Sequence, residues 1–352
     1  MNSGFLKKLF RSPSAVFGII VILITCMAAV FAYFVAPDHS PFANRIIPEI
    51  ANKKPGFSIS FVQLKKDGSI EDNHFIKRLL DGLADSCDYI PINSFSKNKD
   101  SLVAQKYLDD HVSERISFSY HTLSTNPVIQ KTFLLGTDKF GRDILSRLII
   151  GSRVSLSVGF IAVLLSLGIG IFLGLLAGYY GGKTDKLIMW FVNVIWSIPT
   201  LLFVFALTLI LGKGFWQVFI AVGLTMWVNV ARLVRGQVLE ARELEYVEAA
   251  RALGFSDTRI IYRHILPNIF GPVMVIAAAN FAAAILIEAG LSFLGIGVQP
   301  PQPSWGLMIR ENYNFIITGN PMAALEPGIA IMLLVLAFNL LGNGLRDAMQ
   351  VK

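Results

Sequence analysis

Apolar residues run almost unbroken through six stretches of this chain, residues 16–35, 154–178, 187–211, 216–233, 269–290 and 327–345, and the charged residues gather between them. About 20 apolar residues coil into a helix long enough to cross roughly 30 Å of hydrocarbon, so each stretch predicts a transmembrane helix. The pattern changes between residues 37 and about 135, which are polar. There "FSISFVQLKKDGSI" alternates Phe57, Ile59 and Phe61 with serines and leads into an Asp67-Gly68 turn, a hairpin signal. "NHFIKRLLDGL" and "DSLVAQKYLDDHVSERI" read with helical spacing, Ser101 serving as N-cap of the second. This polar segment therefore predicts a small α+β insert between the first and second spans.

Inside the spans, Gly170, Gly174 and Gly178 recur every four residues and leave one helix face almost bare, which suits close packing of a neighbouring helix better than contact with a solute. Pro199 and Pro272 remove backbone donors and predict bends in their spans.

Composition agrees with a membrane protein: 54% of residues are hydrophobic, 16% are charged and the mean hydropathy is +0.58. The first 36 residues carry Lys7, Lys8 and Arg11 before an apolar run longer than a signal peptide's core, so a retained anchor is favoured over a cleaved leader. With the N-terminus inside and six spans, the cytoplasmic pieces are residues 1–15, 179–186, 232–268 and 346–352. They hold 13 Lys and Arg against 7 Asp and Glu, whereas the outer pieces hold 18 against 17. Nearly all of the net charge of +7 then lies on one side, as positive-inside orientation requires and nucleic-acid binding does not. Cys26 falls in the first span and Cys87 outside it, so they do not pair; His74, His111 and His121 lack ligand spacing, and no metal or cofactor site is expected. "AGYYGGKT" ends like a phosphate-binding loop, but Ala177 stands where its first glycine is needed. No cluster suited to hydrolytic or metal chemistry occurs, so the chain is not expected to be an enzyme.

The largest cytoplasmic loop holds Glu245, Glu248, Arg251, Arg259 and Arg263. Residues 246–253 favour a helix, Gly254 is placed as its left-handed stop, and Ser256 begins a second short helix to Pro267. Val247, Ala250, Leu253, Phe255, Ile260 and Ile261 interleave with the charges. The elbow suits docking into a groove on a cytoplasmic partner, and a solvated connector fits the same pattern.

"EAARALGFSDTRIIYRHILP", residues 248–267, resembles the EAA loop of ABC importer permeases, with His264 where an aliphatic residue is usual. "LGTDKFGRDILSRLIIGSRVSLSVG" (135–159), "EAGLSFLGIGVQPPQPSWGLMI" (288–309) and "NLLGNGLRDAM" (339–349) are similar to the C-type permease subunit of dipeptide, oligopeptide and nickel importers. The resemblance is strong over 133–352, weak over 1–36 and lost in the enlarged insert.

It implies an all-α polytopic membrane protein of the bacterial inner membrane, with six transmembrane helices of the importer permease type and both termini cytoplasmic. The implied division is 1–36, an insert over 37–132, and a permease core over 133–352 that includes a coupling loop at 235–267. The implied partners are a homologous B-type permease, two cytoplasmic ATPase subunits, an extracytoplasmic solute-binding protein and the lipid bilayer. ATP hydrolysis belongs to the partners, and the chain moves a peptide or similar small solute by alternating access. Glu248, Ala249, Ala250 and Gly254 are the implied ATPase contact, with Leu266 and Pro267 anchoring the loop to the fifth span. Arg142, Ser146 and Arg153 lie beside an apolar face of Ile144, Leu145, Leu148 and Ile149, and an interfacial helix is favoured there over a gate. Glu288 is either a contact for a peptide amine or cation, or a solvated helix end. A secondary transporter or a membrane-anchored sensor using the outer segment are the competing readings.

Overall fold

A computed structural model describes residues 3–66, 75–83, 85–212, 214–318 and 320–349; the expected Asp67-Gly68 turn and His74 lie outside the described residues. Helices α1 (Ser3–Leu9), α2 (Pro13–Val30) and α3 (Ala32–Val35) come first. Then follow β1 (Phe57–Lys65), α4 (Phe75–Asp81), β2 (Cys87–Lys97), β3 (Ser101–Asp109), β4 (Val112–Ser119) and β5 (Leu123–Phe133). The remainder is helical: α5 (Ile144–Tyr180), α6 (Gly182–Trp196), α7 (Thr200–Leu211), α8 (Phe215–Arg242), α9 (Glu245–Ala252), α10 (Asp257–Ile260), α11 (Leu266–Phe293), α12 (Trp305–Asn312), α13 (Phe315–Thr318) and α14 (Met322–Met349). Five helical runs among the described residues are long and apolar enough to cross a membrane, and a bent pair, α6 with α7, is a further candidate. The chain forms two compact units.

One unit comprises residues 26–154 and 300–329. Its centre is a five-stranded antiparallel sheet in the order β4-β3-β2-β1-β5. The alternation along β1 sorts its side chains between two clusters. Ile59 and Phe61 pack with Ile47, Ile50, Tyr107 and Phe133, while Val62 packs with Ile92, Leu102, Ala104 and Leu123. The stretch 100–116, expected as a helix, falls instead in the hairpin β3–β4. Period two wins over helical spacing there because Leu102 and Ala104, two residues apart, are both buried, and every residue from Leu102 to Tyr107 has a cross-strand partner on β4. Of the expected helices in this segment, α4 is the one that forms.

The other unit comprises residues 1–25, 155–299 and 330–352. Here the glycine face of α5 lies against α8. A β-carbon at Gly174 would stand 2.7 Å from the Ala231 carbonyl oxygen and 2.7 Å from Val234 Cβ, and Gly170 and Gly178 meet Val230 and Val238 in the same way. The spacing of four on one helix matches the spacing of four on the other, so the bare glycine face of α5 makes room for the valines of α8. Gly174→Leu is therefore expected to lower the stability of the folded chain by about 1–3 kcal/mol. Thermal unfolding in detergent checks this, and unchanged stability would show that the glycine face is not tightly packed.

The prolines behave differently from one another. Pro199 separates α6 from α7, which meet at 89°, so the bend expected at Pro199 is present as a break between two helices. Pro272, expected to bend its span, lies within a single unbroken α11. The irregularity sits upstream instead, as a π-turn over Ile261–Ile265 that joins α10 to α11.

Candidate functional site

The loop after α8 is built by packing from one side. Val247 and Ala250, three residues apart on α9, are both buried and pack with Ile260, Ile261, Ile265, Val234, Val238 and Tyr179. Four of the six apolar residues expected to meet a partner are thus spent in the chain's own core: Val247, Ala250, Ile260 and Ile261. These residues fix the elbow against the chain's own core. What α9 leaves outside is Glu245, Tyr246, Glu248, Ala249, Arg251, Ala252 and, just past its end, Leu253, which is 72% exposed.

Gly254 closes this helix at φ +76°, with its N–H on the Arg251 carbonyl at 3.0 Å and the Phe255 N–H on the Ala250 carbonyl at 3.2 Å. Paired bonds of this kind satisfy carbonyls that the helix end would orphan, and they require the left-handed backbone that glycine adopts freely. The chain then turns into α10 from Ser256, whose carbonyl accepts from Ile260 N–H while its side chain makes no capping bond. The second helix does not stop at Pro267 as expected. It continues through the π-turn into α11, whose first turn holds Pro267. Leu266 is half-buried against the same core, and Pro267 is exposed. Three polar ties brace the joint. Tyr179 donates to Asp257 at 2.7 Å, Asn268 donates to Tyr246 Oη at 3.0 Å, and the Arg259 guanidinium lies 4.0 Å over the Phe255 ring, which His264 stacks against at 6.0 Å. His264 thus fills an aliphatic position with a flat ring partner.

Glu288 is fully buried on α11. It accepts from Ser292 Oγ at 2.7 Å and from Ser155 Oγ on α5 at 3.4 Å, and Ser292 Oγ in turn accepts from Val298 N–H at 3.1 Å. A solvated helix end is excluded by this burial. The carboxylate instead links α11 to α5 and to the turn that follows α11.

In the unit that carries the sheet, the motif 135–159 folds around Asp138. One carboxylate oxygen accepts the N–H groups of Phe140 and Arg142 at 2.9 and 3.0 Å, and the other accepts Arg142 Nε at 2.6 Å. Gly141 is required at this turn: φ is +74°, and a β-carbon there would strike the Ile47 carbonyl oxygen at 1.8 Å. Arg142 reaches Glu311 at 2.7 Å and Asn44 at 3.1 Å, while Arg147 reaches the same Glu311 oxygen at 3.2 Å. Both arginines are almost wholly buried, and Arg147 and Glu311 were not singled out from the sequence. An arginine inside the apolar run "ILSRLII" was the available signal for Arg147; Glu311, on α12, carried none.

The apolar residues beside Arg142 do not form an interfacial helix. They are the first turns of the 37-residue α5, where Ile149 and Ile150 pack against Ala32, Tyr33 and Ala36. Arg153 is tied down as well: it donates to the Leu80 carbonyl at 3.0 Å and lies 5.2 Å from the Tyr33 ring. Asp143 accepts from the Ser146 N–H at 2.9 Å and from its hydroxyl, and burial pushes its carboxyl pKa up from the ordinary value.

Comparison with known proteins places this geometry in context. The family model described as "Binding-protein-dependent transport system inner membrane component" matches residues 170–351. The glutathione transport system permease protein GsiD of Pectobacterium atrosepticum is 43% identical over 235 residues, 67% of this chain and 77% of that protein. The dipeptide transport system permease protein DppC of Alkalihalophilus pseudofirmus is 45% identical over 217 residues, 62% of this chain and 71% of that protein. Among solved structures, the inward-facing MetNI methionine ABC transporter aligns with a TM-score of 0.49 at 19% identity, covering 58% of this chain and 96% of that one.

Proposed function

This chain belongs to the family of binding-protein-dependent transport system inner membrane components, and from that premise we infer that it is one half of a permease pair, driven by two ATPase subunits gripping the loop around Glu248 and Gly254. The chain is a non-catalytic transport subunit, and nucleotide hydrolysis lies in other chains. The solute class we assign is a short peptide or a peptide-like molecule, since the relatives carry glutathione and dipeptide in their names. The bent pair α6–α7 counts as one span on this reading, for six in all, with both termini and the loop on the cytoplasmic side where the excess of basic residues lies. Residues 37–132 then form an extracytoplasmic insert between the first-span segment 1–36 and the permease core 133–352.

The observation that carries this reading is the continuity of the elbow. Force applied to the exposed side of α9 reaches the rigid Gly254 turn, passes into α10 and enters α11 through an unbroken helical run. A partner whose two nucleotide states hold α9 differently would bias α11 between two arrangements, which is what alternating access needs.

Cysteine cross-linking tests the reading on the assembled complex. Leu253→Cys is expected to form a cross-linked adduct with the ATPase subunit in intact cells, and tagged wild-type chain is expected to co-purify with two ATPase subunits and a second permease. Because the ATPase meets only the cytoplasmic face, the adduct also fixes the orientation. Absence of ATPase chains from the purified complex would refute the assignment.

A further inference from the structure

Beside the sheet, a cavity of about 190 Å³ opens between β1, β2, β5 and the loops around residues 38–47 and 141–143. Phe61, Tyr89 and Phe133 give it aromatic walls. Water-sized groups need at least ~10–15 Å³ each on this measure, so the space holds roughly a dozen of them, enough for a small ring with a short side arm.

Apart from Lys131, each charged group in the wall has a hydrogen-bond or ion-pair partner. Arg45 is held by both oxygens of Asp85 and lies 3.2 Å from Asp38, which also accepts the Ser40 N–H at 3.0 Å. Asp143 is engaged by Ser146. Lys131 on β5 has no carboxylate within ion-pair distance among the described residues; its ammonium rests 4.2 Å from the Tyr89 ring, which the Arg45 guanidinium also faces at 4.0 Å. An ammonium taken partly out of water with no carboxylate in contact is unfavourable, and a carboxylate arriving beside it restores the lost stabilisation.

We propose that this cavity is a binding site for a small organic acid, whose carboxylate pairs with Lys131 and whose apolar body lies against Phe61, Tyr89 and Phe133. The proposal does not rest on the transport reading. Burial, with the positive charge of Arg45 second, lowers the Lys131 pKa to about 8. The groups that face it are Arg45, Asp38, Asp85, Asp143 and Tyr89; burial pushes the Tyr89 hydroxyl up, and arginine keeps its proton, so neither changes charge near pH 8. The carboxylate requires the protonated ammonium. Affinity is therefore full below pH 8 and falls as pH rises through it, by about tenfold between pH 7 and pH 9, with proton uptake on binding.

Titration calorimetry on the full chain in lipid nanodiscs tests this with three probes of one shape: phenylacetate, phenylacetamide and phenethylamine. Phenylacetate is expected to saturate, the amide to bind at least tenfold more weakly and the amine not to bind. Lys131→Met is expected to abolish phenylacetate binding and its pH dependence, whereas Lys131→Arg keeps the binding and flattens the fall above pH 8. If Lys131→Met fails to fold, amine labelling of Lys131 in the wild-type chain, read by mass spectrometry, replaces it; phenylacetate is expected to slow the labelling. Absence of saturable binding, equal binding of acid and amide, undiminished binding by Lys131→Met or unprotected labelling each overturns the proposal.

Discussion

Replacing Gly254 with valine is expected to cut solute uptake at least tenfold while the chain still reaches the membrane in normal amount. The reason is conformational rather than steric. A β-carbon at Gly254 would meet nothing within 4 Å, so space is no obstacle, but φ is +76°, a region that costs a β-branched residue roughly 1–2 kcal/mol or more. The cheapest escape is to give up the paired bonds to Ala250 and Arg251 and redirect α10, which uncouples α9 from α11. Helix insertion depends on the apolar runs, which this turn does not touch. Asparagine, which tolerates the left-handed region, is the matched control: Gly254→Asn is expected to retain most uptake. Glu248→Lys tests the same joint through its exposed side and is expected to weaken ATPase binding, with recovery by a charge change on the ATPase. Normal uptake by Gly254→Val and Glu248→Lys at wild-type expression would make the loop a passive connector.

The second large effect belongs to the buried charges around Asp138. Arg142→Ala removes one guanidinium that serves Asp138, Asn44 and Glu311, and leaves two nearly buried carboxylates short of partners. Breaking a buried pair from one side costs about 3–5 kcal/mol, because the remaining charge has lost both water and partner. The full chain is expected to unfold at markedly lower temperature and to accumulate poorly. Lysine should not rescue it, since an ammonium on a flexible stem cannot reproduce the planar fork that reaches three acceptors. Adding Glu311→Gln to Arg142→Ala is expected to recover part of the loss by removing one stranded charge. A destabilisation below about 1 kcal/mol for Arg142→Ala would show that Arg147, 3.2 Å from Glu311 and 3.8 Å from Asp138, carries the network alone.

Much of the architecture was legible because it depends on neighbours in sequence. An apolar run long enough to cross hydrocarbon is a property of the run itself, and the stretches at 154–178, 216–233, 269–290 and 327–345 each fall inside a long helix. The glycine spacing at Gly170, Gly174 and Gly178 pointed to a packed face, and the stop at Gly254 followed from the helix-forming residues before it. Of the residues proposed as the ATPase contact, Glu248 and Ala249 sit on the exposed side of α9. Ala250, grouped with them by the motif, sits on the buried side. A motif names consecutive residues, but a helix turns by 100° per residue, so adjacent members of a motif face different ways.

The apolar runs, the basic bias of one set of loops and the placement of Gly254 are each settled by solvation or backbone preference within a few residues, and the sequence by itself determined them. The tertiary structure alone decided the rest. Leu102 and Ala104 became strand residues because β2 and β4 lay ready to pair with them; the same letters, taken alone, fit a helix equally well. Pro199 separates two helices and Pro272 does not, although both lack the same donor. Val247 and Ala250 turned inward because Ile260, Ile261 and Ile265 lay close enough to enclose them. Glu311 became the shared acceptor of Arg142 and Arg147 across separations of 169 and 164 residues, a pairing that no local preference encodes. Charges buried this far apart in sequence are stabilised only by the partner that folding brings to them, and that partner is chosen by the packing of the chain as a whole.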